Sequence, residues 1–272
     1  MGLRFSKLDN SIATFKVINT AIDPDAQAFI IATGISGTNA SAINTLVVDL
    51  KAASIWTKMK AIYPMVGGTA TTHKYNLINP QDTNAAFRLS FVGGWTHSAN
   101  GALPNGTNAY ANTFLNPNNS AGIILPSSAH LSYYSRTTIV GVTYEIGGGN
   151  TAANESLALK VASNFTAGNI NIPVNFTTTT DAKGFWAGSK RANNDRECYR
   201  NGISQNTITS NDTLAFSSIF ISLGAFNNNG SIIGYSAKEC AFASIGAGLT
   251  DAQSLAFYNA VQTFQITLGR QV

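Results

Sequence analysis

Between Ala61 and Gly248, Gly, Asn or Pro breaks every apolar run before it grows long. A chain punctuated this way cannot bury its hydrophobic residues on long helices, so short strands and tight turns remain. The strand-like runs are Ala86–Phe91, His130–Ser135, Thr138–Ile146, Ser156–Val161, Asn171–Phe176, Gly184–Ser189, Glu197–Asn201, Ala215–Leu223 and Gly234–Ile245. Their repetition indicates an all-β sandwich or barrel. Alternation is clearest in Thr138–Ile146, where Val140, Val142, Tyr144 and Ile146 share a face. Asn201-Gly202 marks a turn, and Asn227-Asn-Asn-Gly230 marks a loop.

The two ends read differently. Near the C-terminus, Ala237 to Ile245 forms a strand with Cys240, Phe242 and Ser244 on one face and Glu239, Ala241 and Ala243 on the other. Both faces are mostly small or apolar, as in a strand held between two layers. Thr250-Asp-Ala-Gln253 then gives a capping box, and Phe257, Val261, Phe264 and Leu268 recur at helical spacing before Gly269. Near the N-terminus, Asp23-Pro24 starts a helix that Gly34 stops. A second helix, capped by Asn39 or Ser41, carries Ile43, Leu46, Val47 and Leu50 in one stripe, and Ala53 to Lys60 reads as a short third helix. Residues 1–20 form an extended arm. The chain thus divides into 1–60, an arm with helices suited to attachment or oligomerisation, and 61–272, a β-sandwich with a closing helix.

Charged residues make up only 11% of the chain, against a hydrophobic share of 44%. Ordinary soluble domains carry about 25% charge. The polar surface must therefore be built from Asn, Thr, Ser and Gly, as in secreted, cell-surface or virion proteins. A net charge of +4 with no Lys/Arg run gives no support for nucleic-acid binding. No apolar run approaches the roughly 18 residues that would span a membrane, and the first residues carry no apolar signal segment. Cys198 and Cys240 lie on different strands; they read as a free buried pair, with a bridge across the sheet as the alternative.

Several segments carry a resemblance. They are Ile55-Trp-Thr-Lys-Met-Lys-Ala-Ile-Tyr-Pro64, Val66-Gly-Gly-Thr-Ala-Thr-Thr-His73, Ala85-Ala-Phe-Arg-Leu-Ser-Phe91 and Gly94-Trp-Thr-His-Ser98. Leu103-Pro-Asn-Gly-Thr107, His130-Leu-Ser-Tyr-Tyr-Ser135 and the stretch from Cys240-Ala-Phe-Ala-Ser-Ile to Leu268-Gly-Arg-Gln-Val272 complete the set. Together, from about residue 24 to the end, the chain resembles a group of phage virion structural proteins, tail-fibre-like or capsid-surface. The resemblance implies a concanavalin A-like (laminin-G-like) jelly-roll sandwich of two antiparallel sheets. It also implies a place on the virion surface, other capsid or tail proteins as partners, and assembly as a homo-oligomer in the host bacterial cytoplasm. The role stays open between a capsid decoration or fibre and a tail receptor-binding adhesin that recognises host-surface carbohydrate.

The chemistry-bearing residues point to binding rather than catalysis. His73, His97 and His130 are the only histidines, and no Gly-x-Ser-x-Gly elbow exists. Glu145, Glu155, Glu197 and Glu239 are isolated in sequence, without the paired carboxylates of a retaining glycosidase. No Cys/His spacing suits zinc. No cofactor is indicated; calcium is the one metal that would suit the loops holding Asp181, Asn193, Asp195 and Asp212, whose bland reading is Asx-turns. A sugar site needs an aromatic platform with amides or charges around it. Trp95 with His97, Asn100 and Asn105 supplies one such set, and Trp186 with Arg191 and Asn193 supplies another. The alternative is that Trp95 and Trp186 are core plugs, since each sits beside glycines that allow a large ring to pack closely.

Overall fold

A computed structural model describes residues 21–139, 141, 143–151, 155–162, 165–170 and 179–272. The arm at 1–20 and the strand expected at 171–176 lie outside them. In chain order the elements begin with α1 (Pro24–Thr33), α2 (Gly37–Ala52), β1 (Met59–Tyr63), α3 (Ala70–His73) and β2 (Ser90–Val92). Next come β3 (Trp95–Ser98), β4 (Gly101–Pro104), β5 (Tyr110–Asn112), β6 (Ala129–Ser135), β7 (Ile146–Asn150), β8 (Glu155–Ala162) and β9 (Phe165–Ile170). Then follow β10 (Gly184–Ala192), β11 (Asp195–Arg200), β12 (Ile203–Ile208), β13 (Ser222–Leu223), β14 (Phe226–Asn228), β15 (Ser231–Ile233), β16 (Cys240–Gly246) and α4 (Asp251–Thr267).

The strands form two sheets. One runs β12-β11-β10-β6-β16-β4-β3, with β1 also paired to β16; the other runs β15-β14-β7-β13-β5-β2, with β8 and β9 extending from β7. All pairings are antiparallel except β14 with β7. The mainly β, two-sheet sandwich expected from the sequence is the observed fold.

The first sheet is buried on both faces. Leu131, Tyr133, Trp186 and Ile245 face the second sheet and share its core with Ile146, Leu159 and Leu223. Tyr134, Phe185, Tyr199 and Phe242 face a helical layer built by α1, α2 and α4, where they meet Phe29, Leu46, Phe257 and Phe264. This explains why β16 reads as apolar on both faces. The faces are divided differently from strict alternation, however. The register of β16 against β6 shifts between Cys240 and Phe242. Cys240 joins the sandwich core, whereas Ala241 and Phe242 both join the helical side. A bulge adds one residue and turns every later side chain over.

Local signals account for the helices. Asp23 caps α1 and Gly34 ends it at φ 69°. Thr250 and Gln253 form the capping box of α4 in both directions. Helix α2 starts at Gly37, ahead of the caps expected at Asn39 or Ser41. Its N-cap, Ser36, makes no side-chain bond, so the usual signal is silent. The expected third helix is only a single turn, Trp56–Lys58, because the chain enters β1 and pairs with β16. Cys198 and Cys240 are free thiols, both buried, on strands separated by β10 and β6.

Candidate functional site

The chain crosses from the edge of one sheet to the edge of the other at Gly93-Gly94, between β2 and β3. The crossing is tight. Gly93 has φ 77°, and a Cβ there would lie 2.2 Å from the Asn108 carbonyl oxygen. Only glycine accommodates both. The crossing places Phe91, Trp95 and His97 side by side. The Phe91 ring meets Trp95 edge-on at 5.2 Å and His97 edge-on at 4.6 Å, and Trp95 and His97 stack at 6.2 Å. All three are half-buried, with Phe91 and Trp95 also packed against the sandwich core, so the rings form a partly exposed strip along the sandwich edge. The Trp95 Nε1 donates to the carbonyls of Val92 and Tyr110, which fixes the indole across the seam.

His97 is completed by a residue 24 positions away. Its Nδ1 lies 2.9 Å from Nδ1 of buried His73. The Gly68 amide donates to His73 Nε2 at 3.1 Å, so that nitrogen is an acceptor. His73 must therefore carry its proton on Nδ1 and donate it to His97, which leaves the His97 proton on Nε2. Both rings are neutral in this arrangement. Burial, then the neighbouring His97 and Arg270, pushes His73 down to about 3, and burial lowers His97.

Arg270 ties the backbone of this region together. Its five N–H groups all donate to neutral oxygens: Gln265 Oε1, and the carbonyls of Pro64, Met65, Ala99 and Ala241. It thereby joins the loop leading to His73, the turn between β3 and β4, and β16. Burial lowers the guanidinium to about 10.

Beside the aromatic strip opens a shallow cleft of about 250 Å³ lined by Thr71, Lys74, Arg88, Ser90 and Phe91. Lys74 Nζ sits 2.5 Å from Asp82 Oδ2, and Arg88 Nε lies 3.5 Å from Asp82 Oδ1. Neither cation stood out in the sequence. Isolated basic residues carry no signal until the fold brings them to one wall.

The residues expected from the sequence fall into two groups. Trp95 and His97 stack on one face of β3. Asn100 is exposed at the β3–β4 turn. Asn105 holds its own loop: its Oδ1 accepts from the amides of Thr107, Asn108 and Ala109, and its Nδ2 donates to Asn108. The second set does not form a surface. Trp186 is fully buried in the sandwich core, with Nε1 bonded to the Ala182 carbonyl, so it presents no face to a ligand. Arg191 has every N–H engaged, by Asp195, Glu197, Asp251 and Tyr199. Asn193 sits in the β10–β11 turn, its carbonyl accepting from Asp212.

The carboxylates weighed for calcium are engaged by cations. Asp195 pairs with Arg191, Asp212 is buried between Lys190 and Arg196, and Asp181 lies 3.7 Å from Arg200. Such neutralised groups do not fit the donor set of a hard divalent cation. Among the described residues no group of three or more His, Cys, Asp or Glu is placed to hold a metal. No described helix is long and apolar enough to cross a membrane.

No known protein family matches the chain, and no curated protein does. Solved structures are similar in fold. The binding domain of botulinum neurotoxin serotype D/C is 13% identical, with a TM-score of 0.50 over 76% of this chain. This chain spans only 53% of that domain. Domain 4 of the extracellular arabinanase AbnA from Geobacillus stearothermophilus, in complex with arabinotriose, is 15% identical (TM-score 0.39; 74% of this chain, 98% of that one). The CBM40 domain of a Ruminococcus gnavus sialidase, bound to sialyllactose, is 11% identical (TM-score 0.37; 48% and 81%). At these identities the likeness concerns the fold alone, and by fold this chain is a β-sandwich similar to that of the toxin binding domain.

Proposed function

We propose that this protein is a non-enzymatic surface component of a tailed-phage virion, a capsid decoration or fibre, that binds glycans at the edge formed by β2 and β3. The observation that carries the binding reading is the partly exposed strip of Phe91, Trp95 and His97 beside a cleft lined by Thr71, Ser90 and two cations. An aromatic face takes the apolar side of a sugar ring, and the polar wall takes its hydroxyls. The shared fold with a toxin binding domain belongs to the same class of role. The virion placement rests on the sequence resemblance and on a surface of uncharged polar residues. That surface suits a protein packed in many copies, where weak sites gain from avidity.

The described glutamate side chains support a role without catalysis. Glu145 pairs with Lys238, Glu197 with Arg191 and Glu239 with Arg136. A glycosidase needs two carboxyl groups free to act on one bond. The second reading, a tail receptor-binding adhesin, is favoured by the grouping of three half-buried rings on one edge.

Two measurements test these readings. On a glycan array, Phe91→Ala should abolish binding of the intact protein while its melting temperature stays high enough for the assay. Retention of full binding by that variant would sink the edge as the site. Quantitative mass spectrometry of purified virions should find this protein either near stoichiometric with the capsid protein, as a decoration, or at a few per hundred, as an adhesin. Its absence from virions would refute both placements.

A further inference from the structure

The chemistry of the ligand follows from how the arginines spend their donors. Arg191 and Arg270 each commit all five N–H groups to protein oxygens. Arg88 commits none. Its side-chain nitrogens make no hydrogen bond among the described residues, and its Nε is shielded from water without an acceptor. Asp82 stands near Nε at 3.5 Å, beyond good hydrogen-bond distance, and binds Lys74 instead. The side chain is 30% exposed, so its outer nitrogens face the cleft.

A shielded guanidinium donor without a partner is costly. Here it coincides with an excess of charge: two cations, Lys74 and Arg88, face one carboxylate, Asp82. A planar fork with free donors matches a carboxylate in bidentate geometry. The same cleft is lined by Thr71 and Ser90 and bounded by Phe91, where the aromatic strip begins.

We infer that the cleft binds the carboxylate of an acidic saccharide, a uronic or similar sugar acid, through Arg88, with the sugar ring lying over Phe91. This deepens the glycan-binding reading and rests on it. The carboxylate displaces water from Arg88, Lys74 adds a second positive charge, and the hydroxyl groups meet Thr71 and Ser90. A neutral sugar would leave the guanidinium unmatched.

The test is an NMR titration of the full chain, following the arginine Nε–Hε signals, with that of Arg88 assigned by its loss in Arg88→Lys. The probes are glucuronate, its methyl ester, glucose and acetate. Glucuronate should shift the Arg88 signal saturably, while the ester and glucose leave it in place and acetate acts at least tenfold more weakly. Arg88→Gln should lower glucuronate affinity at least tenfold. Asp82→Asn, which removes the competing anion, should raise it, and this second variant guards against a fold defect in the first. An Arg88 signal that does not move, or that moves equally with ester or acetate, overturns the inference. Neutral glycans held equally by the wild type and Arg88→Gln but lost in Phe91→Ala would overturn the sugar acid and leave glycan binding standing. Failure of the wild type to retain any glycan would remove both.

Discussion

Arg270 is a cation held wholly by neutral oxygens in the interior. Replacing it by Met would leave the carbonyls of Pro64 and Met65 without donors, while the Ala241 carbonyl would keep the Gln265 amide. Each unmatched buried acceptor costs about 1–3 kcal/mol, so Arg270→Met should lose at least about 2 kcal/mol in urea unfolding. Arg270→Lys, with three donors for five acceptors, should lose less. The histidines set the response to acid. Burial lowers His73 to about 3 and His130 to about 4, from an ordinary value of 6.5. In the unfolded chain both take a proton near 6.5, so the unfolded state binds more protons between that pH and the folded values. Stability is therefore full above about pH 7 and falls as pH drops through this window. By pH 5 the two together should cost roughly 4 kcal/mol, and the stability–pH slope there should correspond to about two protons taken up on unfolding. Denaturant melts at pH 7 and pH 5 check both numbers. A slope of about one proton would mean that one of these rings is charged in the native state, and a flat profile that both are.

At the scale of elements, α4 is held to the first sheet by Phe257, which meets His130, Phe185 and Phe242. Phe257→Ala should cost about 3–5 kcal/mol, and Thr250→Ala, which breaks the capping box, about 1 kcal/mol. The separation between them is readable in the same urea series. These parts were legible in the sequence because caps and helical spacing are local. What escaped was tertiary. The alternation in Thr138–Ile146 promised a strand, yet among its described residues only Ile146 enters β7. Glu145 turns inward to the buried Lys238, at 2.7 Å, and no periodicity announces such a pair. The hairpin of β3 and β4 read as a loop because Gly, Asn and Pro dominate it. Strand β5 is too short to show a period. At the site, the sequence groups Trp95 with His97 in one set, but their stacking depends on strand β3, which the local composition hides. Their partners His73 and Arg88 are separated in sequence and joined only by the fold. Trp95 and Trp186 looked alike, each beside glycines, and burial alone tells them apart.

For the whole molecule, much of the charge is internal. Lys190 with Asp212 and Lys238 with Glu145 are shut away from solvent. Added salt screens such pairs weakly. Unfolding midpoints at 0.05 and 0.5 M NaCl should therefore differ by no more than a few degrees, apart from general salt effects on hydrophobic burial. A large loss of stability in salt would place the stabilising charges on the surface instead.

The clamp at Arg270 also sets an order of events in time. Its partners Pro64, Met65 and Ala99 lie 206, 205 and 171 residues earlier. Contacts so distant along the chain form late. A ribosome has long released the segment carrying Phe91, Trp95 and His97 before it adds the residue that secures their loops. During synthesis the edge of Phe91, Trp95 and His97 is thus secured only after residue 270 is added, and a nascent chain halted before it would carry every described strand of the sandwich without this clamp.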